Sequence, residues 1–191
     1  MAQIYKKNKK YKYLSLAFFI LFLISAVIFV YSLRSNYSHM TTLRNQVYSA
    51  DENNGDIKTA LNNLRDYVTT HMNTSLTSNN SVYPPIQLEY TYQRLLETQI
   101  GTGSNNSKIY SDAEYYCQKT VPNGFYGAYR IPCVENYINT HGLSKISVDP
   151  SLYQFDFASP TWSSDLAGFM MLITIFMALM CLIFIALLSF S

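Results

Sequence analysis

The stretch YLSLAFFILFLISAVIFVYSL, Tyr13–Leu33, decides the architecture. No charged side chain interrupts it. A hydrocarbon core about 30 Å thick needs roughly 20 helical residues at about 1.5 Å each, and this run is long enough. A second uncharged run, Leu166–Phe190, meets the same length. Uncharged runs this long are rare inside soluble domains, so both are read as transmembrane helices rather than core helices.

A cleaved signal peptide is the competing reading of the first run. Such a peptide has an apolar region of about 7–15 residues and ends at a small-x-small cleavage site. Here the run is longer and leads into Tyr31-Ser32-Leu33-Arg34. An uncleaved anchor is expected.

Charge sets the orientation. Lys6, Lys7, Lys9, Lys10 and Lys12 crowd before the first span with no acid among them, and basic residues beside a span stay cytoplasmic. Residues 1–12 are thus a basic cytoplasmic tail, 13–33 the first span, 34–165 an extracytoplasmic domain and 166–190 the second span. Both termini are expected in the cytosol, in the plasma membrane. The formal net charge of +2 hides this asymmetry, because residues 34–165 carry nine Lys or Arg against twelve Asp or Glu. Tyr11, Tyr13 and Tyr31 beside the first span and Trp162 before the second occupy aromatic-belt positions. The lysine cluster needs no nucleic acid to explain it, since anionic lipid does so.

Of three cysteines, Cys181 falls in the second span and reads as a small apolar helix residue. Cys117 and Cys133 fall in the outer region, where oxidising conditions favour pairing. Neither belongs to a CxxC, which argues against a redox-active dithiol.

The outer region reads as mainly α, a helical bundle. Met40, Leu43, Val47 and Ala50 recur at helical spacing, and no Pro or Gly separates them from the first span, so one helix can run through both. Asp51-Glu52-Asn53-Asn54-Gly55 breaks it. A second helix is predicted over Asp56–Met72, capped by Asp56, with Ile57, Leu61, Leu64 and Val68 on its apolar face and Lys58, Asn62, Arg65 and Asp66 on its polar one. Pro84-Pro85 suits the start of a third helix with a stripe of Leu88, Tyr92, Leu95, Leu96 and Gln99, stopped by Gly101 and Gly103. Ser111-Asp112-Ala113-Glu114 has the spacing of a capping box and predicts a fourth helix starting there. Pro122-Asn123-Gly124 is a turn signal, and Pro132–Thr140 a fifth helix ending at Gly142. Asp149-Pro150 suggests a turn, and Tyr153, Phe155 and Phe157 alternate as an edge strand would, with a packed strip lying over the bundle near the membrane as the equal alternative.

Motifs for chemistry are sparse. His39, His71 and His141 lack metal-ligand spacing, and Asp51–Asp56 fails as a calcium loop because Gly55 and Asn62 stand where the loop geometry wants other residues. No GxSxG, GxxxxGK[ST] or GxGxxG is present. Glu89, Glu97, Asp112 and Glu114 could pair as in glycoside hydrolysis only if the fold converged them. No catalytic, cofactor-binding or metal residue is therefore assigned, and no enzyme is expected. Tyrosine is the unusual residue: 13 of the 17 lie in the outer region. Phe125, Tyr126, Tyr129 and Arg130 make the best candidate for an exposed contact surface.

The stretches Asp56-Ile57-Lys58-Thr59-Ala60-Leu61, His71-Met72-Asn73-Thr74, Pro84-Pro85-Ile86-Gln87-Leu88, Tyr129-Arg130-Ile131-Pro132-Cys133 and Ser159-Pro160-Thr161-Trp162-Ser163 together resemble a family of uncharacterised two-pass envelope proteins of reduced-genome bacteria. That resemblance implies a bacterial inner-membrane protein and brings no activity or functional residues with it. In layout alone, the chain is also similar to sensor input regions, without a signalling module after the second span, and to two-pass auxiliary subunits with a disulfide-bonded outer loop. The expected role is an accessory or assembly subunit acting through contacts with lipid and with a protein partner or second copy. The alternative is an ectodomain that binds a ligand or glycan.

Overall fold

The structure, a computed structural model, describes residues 2–77, 83–100, 105–121, 129–141 and 148–189, with side chains of residues 2–9, 100, 105 and 106 left aside. Six α-helices run in the order α1 (Ala2–Glu52), α2 (Ile57–Thr70), α3 (Glu89–Ile100), α4 (Asn105–Thr120), α5 (Arg130–Thr140) and α6 (Leu166–Ser189) among the described residues. Two short strands, β1 (Ile86–Gln87) and β2 (Gln154–Phe155), complete a mainly α fold.

The first span and the outward helix are one element, as the unbroken periodicity predicts, and α1 also takes in the basic tail from Ala2. It ends where Asn54 adopts a left-handed φ of 51°. Asp56 caps α2 as expected: its Oδ1 accepts from the Thr59 amide at 3.0 Å and its Oδ2 from the Thr59 hydroxyl at 2.7 Å.

Two helix starts depart from the sequence reading. Pro84-Pro85 does not open α3. Pro disfavours the helical region for the residue before it, so the pair leads into extended β1 and α3 begins only at Glu89. Gln99, placed on the buried stripe, is exposed, whereas Leu88, Tyr92 and Leu96 are buried. The Ser111 capping box is not a cap either. The helix already runs from Asn105, and the Ser111 hydroxyl bonds back to the carbonyls of Ser107 and Lys108 at 3.1 and 3.2 Å, the usual outlet for a serine inside a helix. The predicted stops at Gly101, Gly103 and Gly142 and the Pro122–Gly124 turn lie outside the described residues.

Of the alternating aromatics only Phe155 lies in a strand, while Tyr153 closes the 3-10 turn before it and Phe157 makes an isolated bridge. Ile86 pairs with Phe155 and Gln87 with Gln154 in an antiparallel ribbon. Phe157 exchanges backbone bonds with Leu76 at 2.7 and 2.8 Å. Ahead of it, Asp149 accepts from the Ser151 amide at 2.9 Å and starts a single 3-10 turn over Pro150–Leu152.

The chain divides into two compact units, residues 1–39, 70–74 and 160–191, and residues 40–69 and 75–159. In the first, the helices α1 and α6 run antiparallel. Phe18 stacks on Phe184 at 5.3 Å, the Cys181 thiol lies 3.8 Å from the Ser15 carbonyl, and Asn36 meets Asp165. The helices approach through small side chains, with Ser25, Ser32, Ala167, Gly168 and Cys181 buried. Both are long and apolar enough to cross a membrane, and only 6% of the most apolar window of each is buried. Soluble core helices bury that surface.

The second unit has its own core. Val47, Leu64, Val68, Leu76, Ile86, Leu88, Leu96 and Val134 are almost wholly buried. Tyr92 and Tyr153 meet edge to face at 5.0 Å. The Cys117–Cys133 disulfide, with Cα atoms 5.9 Å apart, staples α4 to α5, and Tyr116 packs on Tyr137 beside it.

Candidate functional site

Charged groups of the second unit converge on two arginines. At the end of α1, the Asp51 carboxylate receives four hydrogen bonds: from the Tyr90 amide (3.0 Å), the Thr91 amide (2.8 Å), the Thr91 hydroxyl (2.6 Å) and Arg94 Nη2 (3.1 Å). Arg94 also donates to the Asp51 carbonyl at 3.1 and 3.2 Å. Leu88, at the N-cap position of α3, has no side-chain acceptor, and Asp51 supplies one from another helix.

The second cluster is an acid–base–acid triad. Arg130 Nε lies 3.0 Å from Glu89 Oε1, and Nη2 donates to Glu114 Oε2 at 3.1 Å. The Nε contact is close but its N–H is poorly aligned, so proximity of charge rather than a hydrogen bond holds Glu89 there. Burial raises the Glu89 pKa. Arg130 pulls it down, and Glu114 and Asp51 push it up again. The Tyr110 hydroxyl donates to Glu114 Oε1 at 3.0 Å, and burial together with that carboxylate raises the Tyr110 pKa.

The predicted site residues are distributed accordingly. Cys117 and Cys133 are bonded. Tyr129 is 57% exposed just ahead of α5, while Arg130 turns into the triad. Phe125 and Tyr126 lie outside the described residues. Of the candidate carboxylate pairs, Glu89 and Glu114 do converge, but with a guanidinium between them, and Glu97 and Asp112 are exposed. His71 is half-buried with Nδ1 3.0 Å from the Thr70 hydroxyl, and His141 stacks on Tyr137 at 3.9 Å. No group of three or more metal-ligating side chains occurs among the described residues. Trp162 meets Phe169 edge to face at 6.3 Å, Lys10 and Lys12 are exposed, and Lys6, Lys7 and Lys9 lie within α1.

In the first unit, Asp165 caps α6. Its Oδ1 accepts from the Gly168 amide at 3.0 Å and the Ser163 hydroxyl at 2.6 Å, and its Oδ2 from Asn36 Nδ2 at 2.7 Å. Burial alone would raise its pKa, but these hydrogen bonds outweigh that and lower it.

One concave feature was not visible in the sequence. A cavity of about 390 Å³ opens in the second unit between α2 and the β2 segment. Ile57, Leu61, Leu88, Leu152, Phe155 and Phe157 supply its apolar wall, and Lys58, Asn62, Arg65 and Thr91 its polar groups. Its size lies in the range of small-molecule sites. The sequence puts Ile57 and Leu61 with Leu64 and Val68 on one apolar face. Leu64 and Val68 are buried, whereas Ile57 and Leu61 remain half-exposed and line the opening.

Compared with known protein families, characterised proteins and solved structures, the chain matches none.

Proposed function

We propose that the chain is a non-enzymatic membrane protein, an accessory or assembly subunit that acts through contacts made by residues 34–165 outside the plasma membrane. The observation that carries this reading is a disulfide-stapled unit with its own core, flanked in the sequence by two apolar helices of membrane-crossing length. The positive-inside rule applied to Lys6–Lys12 puts both ends of the chain in the cytosol.

The polar clusters support a structural role for the acids. Asp51, Glu89 and Glu114 are each engaged with an arginine. Around the disulfide hairpin, by contrast, Tyr115, Tyr116 and Tyr129 expose more than half of their surface. Large amphipathic rings of this kind suit recognition by a protein partner or a second copy.

The test is site-specific photocrosslinking in intact membranes, with a benzophenone amino acid at Tyr115 or Tyr129 and, as control, at Asp66. Discrete heavier adducts from the tyrosine positions alone are expected. Monomer at every position overturns the contact role. A tag at residue 2 is expected to stay protected from protease in intact cells, and its cleavage would reverse the orientation.

A further inference from the structure

We propose that the cavity beside α2 binds a long-chain fatty acid, with the hydrocarbon tail inside and the carboxylate at Lys58 and Arg65. The proposal goes beyond the contact role and does not depend on it.

The cavity has one charged edge, and it is cationic. Lys58 and Arg65 stand seven residues apart on α2, about 10 Å along its axis and on the same side. Among the described residues no carboxylate lines the cavity. Arg65 has Asp66 at 3.6 Å, but with side chains 55% and 72% exposed that pair is weak and solvent-screened. Asp56, which lies near Lys58, is likewise exposed and screened, so an anionic head meets two cations that no buried acid among the described residues neutralises.

The wall selects a tail over a peptide. Leu61, Leu88, Leu152, Phe155 and Phe157 offer hydrocarbon only. Of the two uncharged polar groups, Thr91 is already committed: its hydroxyl donates to Asp51 at 2.6 Å and accepts from Arg94 at 3.0 Å. A peptide backbone laid against this wall would bury amides and carbonyls with few partners, at a cost an acyl chain does not incur. Leu152, 51% exposed, is a large apolar side chain that such a tail would cover.

The experiment uses the full chain in lipid nanodiscs and a diazirine-bearing palmitate, with adducts mapped by mass spectrometry. Labelling of peptides containing Leu61 or Leu152–Phe157 is expected, suppressed by unlabelled palmitate and not by hexadecanol. Lys58→Gln and Arg65→Gln should each weaken suppression by about threefold, and together by about tenfold. Leu152→Asp, at an exposed position that leaves the core intact, should abolish cavity labelling. Adducts confined to α1 and α6 overturn the proposal, as does equal suppression by hexadecanol. Suppression by an acidic peptide but not by palmitate assigns the cavity to a peptide and overturns it too.

Discussion

Asp51 and Arg94 are held 3.1 Å apart in very different surroundings: the Asp51 side chain is 2% exposed and that of Arg94 38%. The acid is therefore the costly partner to leave behind. Its oxygens are satisfied in the interior by two amides, a hydroxyl and the guanidinium together. Asp51→Ala should cost about 2 kcal/mol, chiefly by removing the acceptor for the first turn of α3, because the Arg94 it strands is 38% exposed. Asp51→Asn, which keeps one acceptor oxygen, should cost less. Chemical unfolding of the purified protein monitored by circular dichroism separates the two, and equal stability of Asp51→Ala and the parent would refute the assignment.

Arg44 makes the opposite prediction. It is buried, with Nε and Nη1 unbonded among the described residues, and its guanidinium faces the rings of Tyr83 at 4.3 Å and Tyr48 at 5.4 Å. Cation–π attraction of about 2 kcal/mol offsets only part of the desolvation of such a group. Arg44→Met is expected to leave the melting temperature unchanged or raise it, and a fall of more than about 5 °C would contradict this.

Gly168 and Gly55 form a matched pair of tests. A Cβ at Gly168 would stand 1.7 Å from the Ser163 carbonyl oxygen and 2.9 Å from Trp162 Nε1. Backbone cannot yield that distance, so Gly168→Ala should cost more than about 2 kcal/mol. At Gly55 the same atom meets Ala50 at 3.7 Å, an ordinary contact, so Gly55→Ala should be neutral or gain up to about 1 kcal/mol. Thermal melts of the two variants read the contrast directly.

Acidification should act with opposite signs at two carboxylates. Asp165 has a lowered folded pKa, so its contribution is complete above the ordinary 3.8 and is lost as pH falls through the folded value. Glu89 has a raised one: the folded protein holds that proton more tightly, so this contribution is present below 4.5 and is lost as pH rises through the folded value. In stability measured against pH, Asp165→Asn should flatten the acid limb below 3.8, and Glu89→Gln the region just above 4.5. Parallel curves for parent and variants would remove both groups from the account.

Reduction should weaken the second unit. The disulfide closes a loop over a sequence separation of 16, which in the chain-entropy model stabilises by roughly 3 kcal/mol. Dithiothreitol or Cys117→Ser with Cys133→Ser should lower the unfolding midpoint by a matching amount. An unchanged midpoint would show that the hairpin is held by packing alone.

What could be read from the sequence was local. The uncharged runs, the Asp56 cap and the amphipathic α2 depend on neighbours within a few turns, and the two outer cysteines pair as their setting suggests. What escaped was set at long range. The acceptor that starts α3 lies 40 residues before Thr91, and no pattern around Pro84-Pro85 encodes it. The Ser111 motif was present but overruled, because a helix already running from Asn105 leaves its hydroxyl only carbonyls to bond. Lys58 and Arg65 looked like an ordinary solvated face. Only the placement of Leu152, Phe155 and Phe157 against them makes a cavity.

The Asp51 cap bears on where the chain can be cut. A soluble piece beginning at the Asn53–Gly55 turn would retain α2 to α5, their disulfide and their ribbon, and on an element map it would look whole. It would nevertheless leave the Tyr90 and Thr91 amides and Arg94 without the carboxylate they share. An excised fragment that folds must therefore carry the last turns of α1, from about Met40, where the second compact unit begins.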